Sequence, residues 1–487
     1  CLLSLAEIVD LTIVAVAIPD IMGALSCNID EISLVSTSYI VAAAIFIMMT
    51  GFVSGRFGCK KTILVSSVVF GVSSVLCGLS TNLEEMIFFR IMQGLGGAFL
   101  PSMAQGYVVA NFDKDEQPVM IGILTLVVVL GPIIGPIMGG YLVEMLNWRW
   151  IFFVNVPICL ISFIFVSIYM KETPIKAIKF DKLSFIFMAV GFGCLEYTID
   201  EGNQNDWFSS HKLIMVFLLG VVSIIFFIWR GIYGKSVVSF KIFLNRNFVV
   251  SCLYVFLFMG TASCVLIFFP TLMQNGYGFP VDLAGYITAP RGVFALIGAG
   301  TTIQLCKRFD KRFVLYWGLS LFILANYLQE HYGATWNLWF ILVAGAVQGM
   351  SMSATFVVLL QVGFTGISQN LSNDASGVFN FFRNIGNSVG TSFASTILSQ
   401  QQQVAWSDMV THITPYDMGY KNFMQHLPPN LPYADKIGII VHTIQGQTFL
   451  VANNDLYFIS SILALSLVGL PFLLAKPKDG LVEMTMH

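Results

Sequence analysis

Two carboxylates, Glu7 and Asp10, lie three residues apart within the first long apolar stretch of the sequence. On an α-helix this spacing places both side chains on one face, where their negative charges repel each other. Apolar surroundings also disfavour the charged form, so one of the two is expected to hold a proton near neutral pH. Such a pair could carry protons. For Glu7, simple hydration near the end of the stretch is the alternative.

Three arginines and a further carboxylate also lie within apolar stretches, where a charge is costly enough to indicate function. Arg90 lies a turn or two from the end of its stretch, and would either pair with an acidic group such as Asp10 or extend to the surface. Arg291 and Arg383 present the same choice. Glu196 would either attract a cationic ligand or have a purely structural role. The predicted substrate cavity combines three of these charged residues with two polar ones. Its residues are Glu196, Gln93, Arg291, Arg383 and Asn380.

The composition indicates a helical membrane protein. Of 487 residues, 56% are hydrophobic and 11% are charged, about half the charged share of a soluble protein. Apolar runs of about 20 residues fit membrane-spanning helices and not the short alternating strands of a barrel. The sequence begins at Cys1 inside such a run, so we expect a short cytoplasmic lead before it and no cleavable signal peptide.

Several classes of function are disfavoured. The formal net charge of −2 gives no reason to expect a nucleic-acid partner. The nine cysteines include no C-x-x-C pair, and all six histidines lie outside the apolar runs. Phosphate-loop, hydrolase and metal-binding signatures are absent from the sequence, so we expect no metal, no cofactor and no enzymatic activity.

Polar breaks divide the apolar sequence into fourteen predicted spans. They are 2–24, 33–55, 62–80, 85–109, 119–144, 150–170, 183–201, 212–231, 248–270, 283–305, 313–330, 338–363, 375–398 and 454–475. If the first span runs outward, 18 of the 25 lysines and arginines lie on the inner side, and four lie on the outer side. The excess of positive charge inside predicts that both termini are cytoplasmic.

A motif that occurs twice in the sequence divides the spans into two halves. Gly51–Lys61 closes the second span and Lys307–Arg312 closes the tenth, and both segments contain Arg-Phe followed by basic residues. We therefore predict a six-helix bundle over 1–171, a two-helix insert over 183–231, and a second six-helix bundle over 248–475 with a long outer loop at 399–453. Two parallel repeats of this kind are typical of transporters.

The fifth span carries glycines at every fourth position, Gly131, Gly135 and Gly139, beside a second row that contains Pro132 and Pro136. Small residues at this spacing let two membrane helices approach closely. Neighbouring helices can satisfy the backbone groups that proline leaves free. With Gly140, this stretch predicts a kinked helix at a specific interface, although a simple packing seam is the alternative.

Together these residues resemble the major facilitator superfamily, specifically the fourteen-helix drug:proton antiporters of the EmrB/QacA type. The resemblance covers most of the chain and rests on seven segments: Asp10–Pro19, Gly51–Lys61, Arg90–Gly97, Gly131–Gly140, Asn147–Pro157, Pro290–Gly292 and Ser376–Asn384. It implies an all-α fold of two six-helix bundles plus two inserted helices, in the inner (cytoplasmic) membrane.

The resemblance also implies a function, proton-coupled export of lipophilic or cationic small molecules. Asp10 would exchange the proton with Arg90 and Glu7 beside it, and Gly131–Gly140 would form the interface between the halves. An inner-loop gate would comprise Gly51, Arg56, Gly58, Lys60, Lys61, Arg308 and Asp310. Some relatives work with a periplasmic adaptor and an outer-membrane channel, and others work alone.

The sequence departs from the family pattern at three positions. Gly55 stands where the inner-loop motif usually has Asp, Cys59 where it has a basic residue, and Ala15 where the first-helix motif often has Asn. The charge latch of this loop would then be weakened, or rebuilt by Arg56, Lys60 and Lys61. Two other functions stay open: a dedicated transporter of a metabolite, siderophore or lipid on the same fold, and a non-transporting scaffold or sensor.

Overall fold

The apolar runs form long α-helices in the computed structural model, because a helix satisfies its backbone N–H and C=O groups within its own segment. The structure describes residues 1–113, 116–173, 175, 180–202, 207–233, 236–266, 268–333, 337–414, 416–428 and 431–475. Within these ranges, the side chains of residues 29, 30, 118, 125, 126, 128, 129, 132, 133, 208, 281 and 282 lie outside the description. The described ranges contain no β-strand.

The helices fall into three groups along the chain. The first group is α1 (Leu2–Leu25), α2 (Ile29–Ile47), α3 (Thr50–Phe57), α4 (Cys59–Leu79), α5 (Leu83–Gly97), α6 (Phe99–Asn111), α7 (Gln117–Met145), α8 (Trp150–Phe153) and α9 (Asn155–Tyr169). A hairpin of α10 (Lys182–Glu201) and α11 (His211–Ile232) follows. The last group is α12 (Arg246–Leu266), α13 (Phe268–Thr271), α14 (Val281–Arg308), α15 (Lys311–Glu330), α16 (Leu338–Gly363), α17 (Ser372–His412), α18 (Met418–His426), α19 (Tyr433–Leu465) and α20 (Leu470–Leu473).

Each of the fourteen predicted spans overlaps one helix or one interrupted helix. The second span is interrupted at Met48 and Met49, where α2 and α3 meet at a bend of 60°. Among the described residues, eight helices are long and apolar enough to cross a membrane, or nine when the bent pair counts as one span. The full count of fourteen stays a prediction.

The first and last groups pack against each other through α7 of the first group and α17 of the last. α7 contacts α14 and α16, while α17 contacts α2, α3 and α6. The hairpin joins this arrangement through α10, which packs on α2 of the first group and on α17 of the last. One continuous apolar core crosses the contact between the groups, with Phe52 and Phe99 on one side and Phe379 on the other.

The outer surface of the helices is apolar. On α11, Met215, Leu219, Val222 and Trp229 are all about half exposed or more, and they recur at the spacing of one helical face. A soluble protein would bury such a face, whereas lipid accommodates it. The chain is therefore a multi-pass membrane protein.

The connection at 399–453, which was predicted to be a long outer loop, is mostly helical. α17 continues to His412, α18 covers Met418–His426, and α19 begins at Tyr433. The apolar pattern marks only the part of a helix in contact with lipid or core. Polar helix formers such as Gln400–Gln403 extend α17 beyond it.

Candidate functional site

A buried ion pair joins α1 to α5. Arg90 Nη1 lies 2.6 Å from Asp10 Oδ2, and the two side chains are 1% and 0% exposed. Arg90 Nε also donates to the carbonyl oxygen of Val35 on α2 (3.1 Å). A planar guanidinium can satisfy several acceptors at fixed angles, so Arg90 links three helices at one point.

Two amides complete the hydrogen bonds of the Asp10 carboxylate. Gln93 Nε2 and Asn155 Nδ2 both donate to Asp10 Oδ1, at 2.9 and 2.7 Å. Gln93 also accepts from Arg90 Nη1 (2.6 Å) and donates to Ser74 Oγ (2.7 Å). Gln93, which the sequence assigned to the substrate cavity, thus belongs to the ion-pair network. Asn155 and Ser74 had no predicted role, although Asn155 lies within a segment that carries the family resemblance.

Aromatic rings enclose the cation. The Arg90 guanidinium lies 4.5 Å from the ring centroid of Tyr39 and 5.8 Å from that of Phe152. Cation–π contact favours the charged group in a site from which water is excluded. The ion pair is therefore held between hydrogen-bond donors on one side and aromatic faces on the other.

Glu7 lies apart from this network although it is on the same helix. Its side chain is 2% exposed, and Oε2 has no hydrogen-bond partner among the described residues. The charged groups that act on it electrostatically are Arg383 and Asp10. The Arg383 guanidinium donates to Asn384 Oδ1, at 3.2 Å from Nε and 3.0 Å from Nη2. Glu7 therefore lines a space shared with α17 and forms no ion pair with any described residue.

The predicted cavity residues separate into different places. Glu196 lines one cavity of about 290 Å³ between α1, α2, α10 and α17, together with Glu7, which was predicted to take part in proton coupling. Asn380 and Arg383 line a second, much smaller cavity of about 30 Å³, and Asn380 Nδ2 donates to Gln105 Oε1 on α6 (2.6 Å). The structure therefore brings together only part of the predicted set.

Arg291 on α14 lines neither of these two cavities. It is 2% exposed and lies 4.6 Å over the ring centroid of Phe269. Its Nε and Nη2 have no hydrogen-bond partner within the described part of the chain. The guanidinium is thus buried against an aromatic face without a carboxylate in ion-pair contact among those residues.

The glycine row of α7 packs on α1. A Cβ at Gly131 would overlap Ile8, one at Gly135 would overlap Thr12, and one at Gly139 would lie 2.9 Å from Ile13 Cγ1. The helices are close enough for Thr12 Oγ1 to donate to the carbonyl oxygen of Gly131 (3.4 Å).

The other side of α7 faces the last helix group, where Ile137 packs on Gly285 of α14. Pro136 and Gly140 are half-buried, and the side chain of Pro132 lies outside the described residues. α7 therefore lies between α1 and the second half of the chain.

At the predicted inner-loop gate, Gly51 makes a close contact with the start of α17. A Cβ at Gly51 would meet the side chain and the Cα of Asp374, in the first turn of α17. Nearby, Ser376 Oγ donates to the carbonyl oxygen of Ser102. Small and polar groups therefore bring α3 and α6 against the start of α17.

The charged residues of this gate lie elsewhere. Arg56, Lys61, Arg308 and Asp310 are exposed, and none of them forms an ion pair with a described residue. Lys60 Nζ donates to the carbonyl oxygen of Ser167 (2.8 Å). Gly58 adopts φ +86° between α3 and α4, a conformation that favours glycine.

Comparison with known proteins agrees with this architecture. Residues 1–391 match the model of the Major Facilitator Superfamily. The multidrug export protein EmrB of Haemophilus influenzae is 30% identical over 97% of this chain and 94% of its own length. EmrB of Escherichia coli strain K12 is 28% identical over 97% and 93%.

Solved structures share the fold at low sequence identity. The human organic anion transporter MFSD10 aligns with a TM-score of 0.57 and 13% identity, covering 95% of this chain and 98% of its own. The proton:xylose symporter XylE aligns with a TM-score of 0.56 and 11% identity, covering 96% and 94%. The family model matches most of the chain, and the helical fold is the one these transporters share. The chain belongs to the Major Facilitator Superfamily.

Proposed function

We propose that this protein is a proton-coupled antiporter that exports lipophilic or cationic small molecules by alternating access. The relatives named multidrug export proteins align over nearly the whole chain. The observation that carries the proton coupling is the buried Asp10–Arg90 pair, because an ionisable pair inside a membrane protein is costly and is typical of proton pathways. The proposed function of the protein is transport, and we assign no catalytic step to any of its residues.

Asp10 is the proposed proton carrier. Arg90, Gln93 and Asn155 all donate hydrogen bonds to the Asp10 carboxylate. When Asp10 takes a proton, Arg90 loses its counter-charge and is free to rearrange. The ring of Tyr39 connects this event to the substrate, since Tyr39 contacts Arg90 and also lines the 290 Å³ cavity.

The helix interfaces connect protonation of Asp10 to the proposed conformational change. α7 packs tightly on α1, which carries Asp10, and contacts α14 across the boundary between halves. The start of α17 closes against α3 and α6 on the predicted inner side. Protonation of Asp10 on α1 would thus change the packing of α7 and α17 at the contact between the halves. Alternating access requires such a rocking of one half against the other.

We retain the proposed division into bundles over 1–171 and 248–475 with the insert at 183–231. The distribution of basic residues supports cytoplasmic termini, and the relatives support the inner membrane. The extended ends of α17 and α19, with α18 between them, form a helical projection. In a cell with two membranes this projection would suit a periplasmic adaptor that leads to an outer-membrane channel.

Dye uptake into everted vesicles tests the proposal, because export from the cytoplasmic side is directed into the lumen of such vesicles. A proton gradient should drive transport of a lipophilic cationic dye by the wild type, and Asp10→Asn should abolish it while dye binding is retained. Asp20→Asn is the matched control, because Asp20 is an exposed carboxylate on the same helix. Efflux that does not depend on the gradient, or that survives Asp10→Asn unchanged, would refute proton exchange at Asp10.

A further inference from the structure

The 290 Å³ cavity is partly built by the inserted helix α10. Glu196 and Asp200, one turn apart on α10, line it together with Glu7 of α1 and Tyr39 of α2. α17 supplies amide and hydroxyl side chains from Asn384 to Ser395. No sequence pattern singled out Asp200, and only an electrostatic argument pointed to Glu196.

The charges of this cavity are all of one sign. Its lining includes three carboxylates, and it contains no lysine, arginine or histidine among the described residues. Glu7 and Glu196 are 2% and 1% exposed, and Oε2 of each has no hydrogen-bond partner in the described part of the chain. A buried carboxylate oxygen without a partner is costly, so these two atoms indicate a ligand that would supply positive charge.

We propose that Glu196 and Asp200 of the inserted helix bind the positively charged group of an amphipathic organic cation in this cavity. This inference rests on the proposed export function and defines its substrate class and the part of the chain that contacts it. The insert is then a component of the substrate site and more than a spacer between the halves.

The rest of the lining favours an organic cation over a metal ion. No group of three or more His, Cys, Asp or Glu side chains in the described residues is arranged to hold a metal ion. Leu11, Ile40, Ala43 and Ala44 form an apolar wall opposite the polar side chains of α17. The volume lies near the lower end of the roughly 300–1,000 Å³ typical of small-molecule sites.

Through α10, the two carboxylates of this site also contact both the first and the last group of helices. Asp200 accepts a hydrogen bond from Thr37 of α2, and Glu196 accepts one from Ser388 of α17. Ser392 of α17 donates to the carbonyl oxygen of Ile199 (2.6 Å). A cation that draws either carboxylate towards the cavity would therefore alter contacts with both helix groups.

Equilibrium binding of tetraphenylphosphonium to the purified wild type, without a proton gradient, tests this inference. Tetraphenylborate has the same shape with the opposite charge, and should bind at least about tenfold more weakly. Glu196→Gln and Asp200→Asn should each weaken tetraphenylphosphonium binding by about tenfold, and the double variant by more. Glu201→Gln should change it less than about twofold, because Glu201 is a buried neighbour that hydrogen-bonds Ser33 and does not line the cavity.

The inference is overturned if the wild type does not bind tetraphenylphosphonium, binds both ions equally, or keeps its affinity in the double variant. Loss of folding is distinguished by Glu196→Asp, which keeps the charge and should retain the preference for the cation. In the wild type itself, bound tetraphenylphosphonium should protect Glu196 from dicyclohexylcarbodiimide, as read by peptide mass spectrometry. Failure of the Asp10→Asn efflux test would count against the export mechanism and leave this binding result unaffected.

Discussion

Arg90 and Asp10 form an ion pair with a separation of 2.6 Å, almost fully removed from solvent, although they are 80 residues apart in the chain. Removal of one partner of a buried pair leaves the other charge uncompensated, which typically costs about 3–5 kcal/mol. The Arg90–Asp10 pair therefore also fixes the positions of α1 and α5 relative to each other.

Replacement of Arg90 by lysine should not preserve transport. Lysine keeps the charge but lacks the fork that reaches Asp10, Gln93 and the Val35 carbonyl at once. We expect the initial rate of gradient-driven efflux to fall by roughly 100-fold or more. Arg246→Lys is the control, since Arg246 is exposed at the start of α12, and equal rates for Arg90→Lys and the wild type would contradict the proposed role.

Gly135→Ala should separate α7 from α1. The added Cβ would overlap Thr12 and would lie 3.2 Å from the backbone nitrogen of Ile13, so the helices must move apart. Overpacking of this kind costs about 1–3 kcal/mol. We expect a lower thermal midpoint in detergent together with slower efflux. Gly122→Ala on the same helix meets Ile303 Cδ1 only at 3.5 Å and should resemble the wild type, and an equal effect of both variants would show that the close approach is unimportant.

Gly51→Ala should weaken closure of the predicted inner side. Its Cβ would lie 2.8 Å from the Cα of Asp374, a backbone contact that no rotamer change can relieve. A cost of about 1–3 kcal/mol would shift the ratio of closed to open molecules by roughly 5- to 150-fold. Hydrogen–deuterium exchange should accelerate in 99–111 and 372–383.

Gly300→Ala serves as the control for this experiment, because nothing lies within 4 Å of its added Cβ. Unchanged exchange in Gly51→Ala, or equal acceleration in both variants, would show that Gly51 does not support the closed state.

Arg291→Met should stabilise the protein and impair transport. The substitution removes a buried charge whose Nε and Nη2 are unpartnered among the described residues, and it keeps an apolar chain against Phe269. Relief of the desolvation penalty is worth about 1–4 kcal/mol in comparable cases, and would raise the thermal midpoint in detergent. Retention of so costly a charge indicates a role in transport, so we expect efflux to fall by about tenfold or more.

Lys307→Met is the control for Arg291, because Lys307 is exposed at the end of the same helix. A lower thermal midpoint for Arg291→Met would mean that the guanidinium has a stabilising partner. Normal efflux by a stabilised variant would mean that the charge plays no part in transport.

The sequence by itself determined the helical membrane class, the approximate helix positions and the family. Apolar runs predict helices because lipid offers no hydrogen-bond partners, so backbone N–H and C=O groups must pair within their own segment. The glycine row at Gly131, Gly135 and Gly139 predicted a close approach, because four-residue spacing on a helix is a local property. The connection at 399–453 was less predictable, since its polar helices carry no membrane signal.

Only the tertiary structure decided which side chains meet. Asn155 reaches Asp10 from 145 residues away, and Asp200 joins Glu196 and Glu7 around one cavity. The close contact of Gly51 with Asp374 joins α3 to the start of α17. These contacts depend on how each helix is rotated and where helices cross, and packing between distant segments sets both. Local sequence fixes which face a residue occupies, but it does not fix which other helix that face will meet.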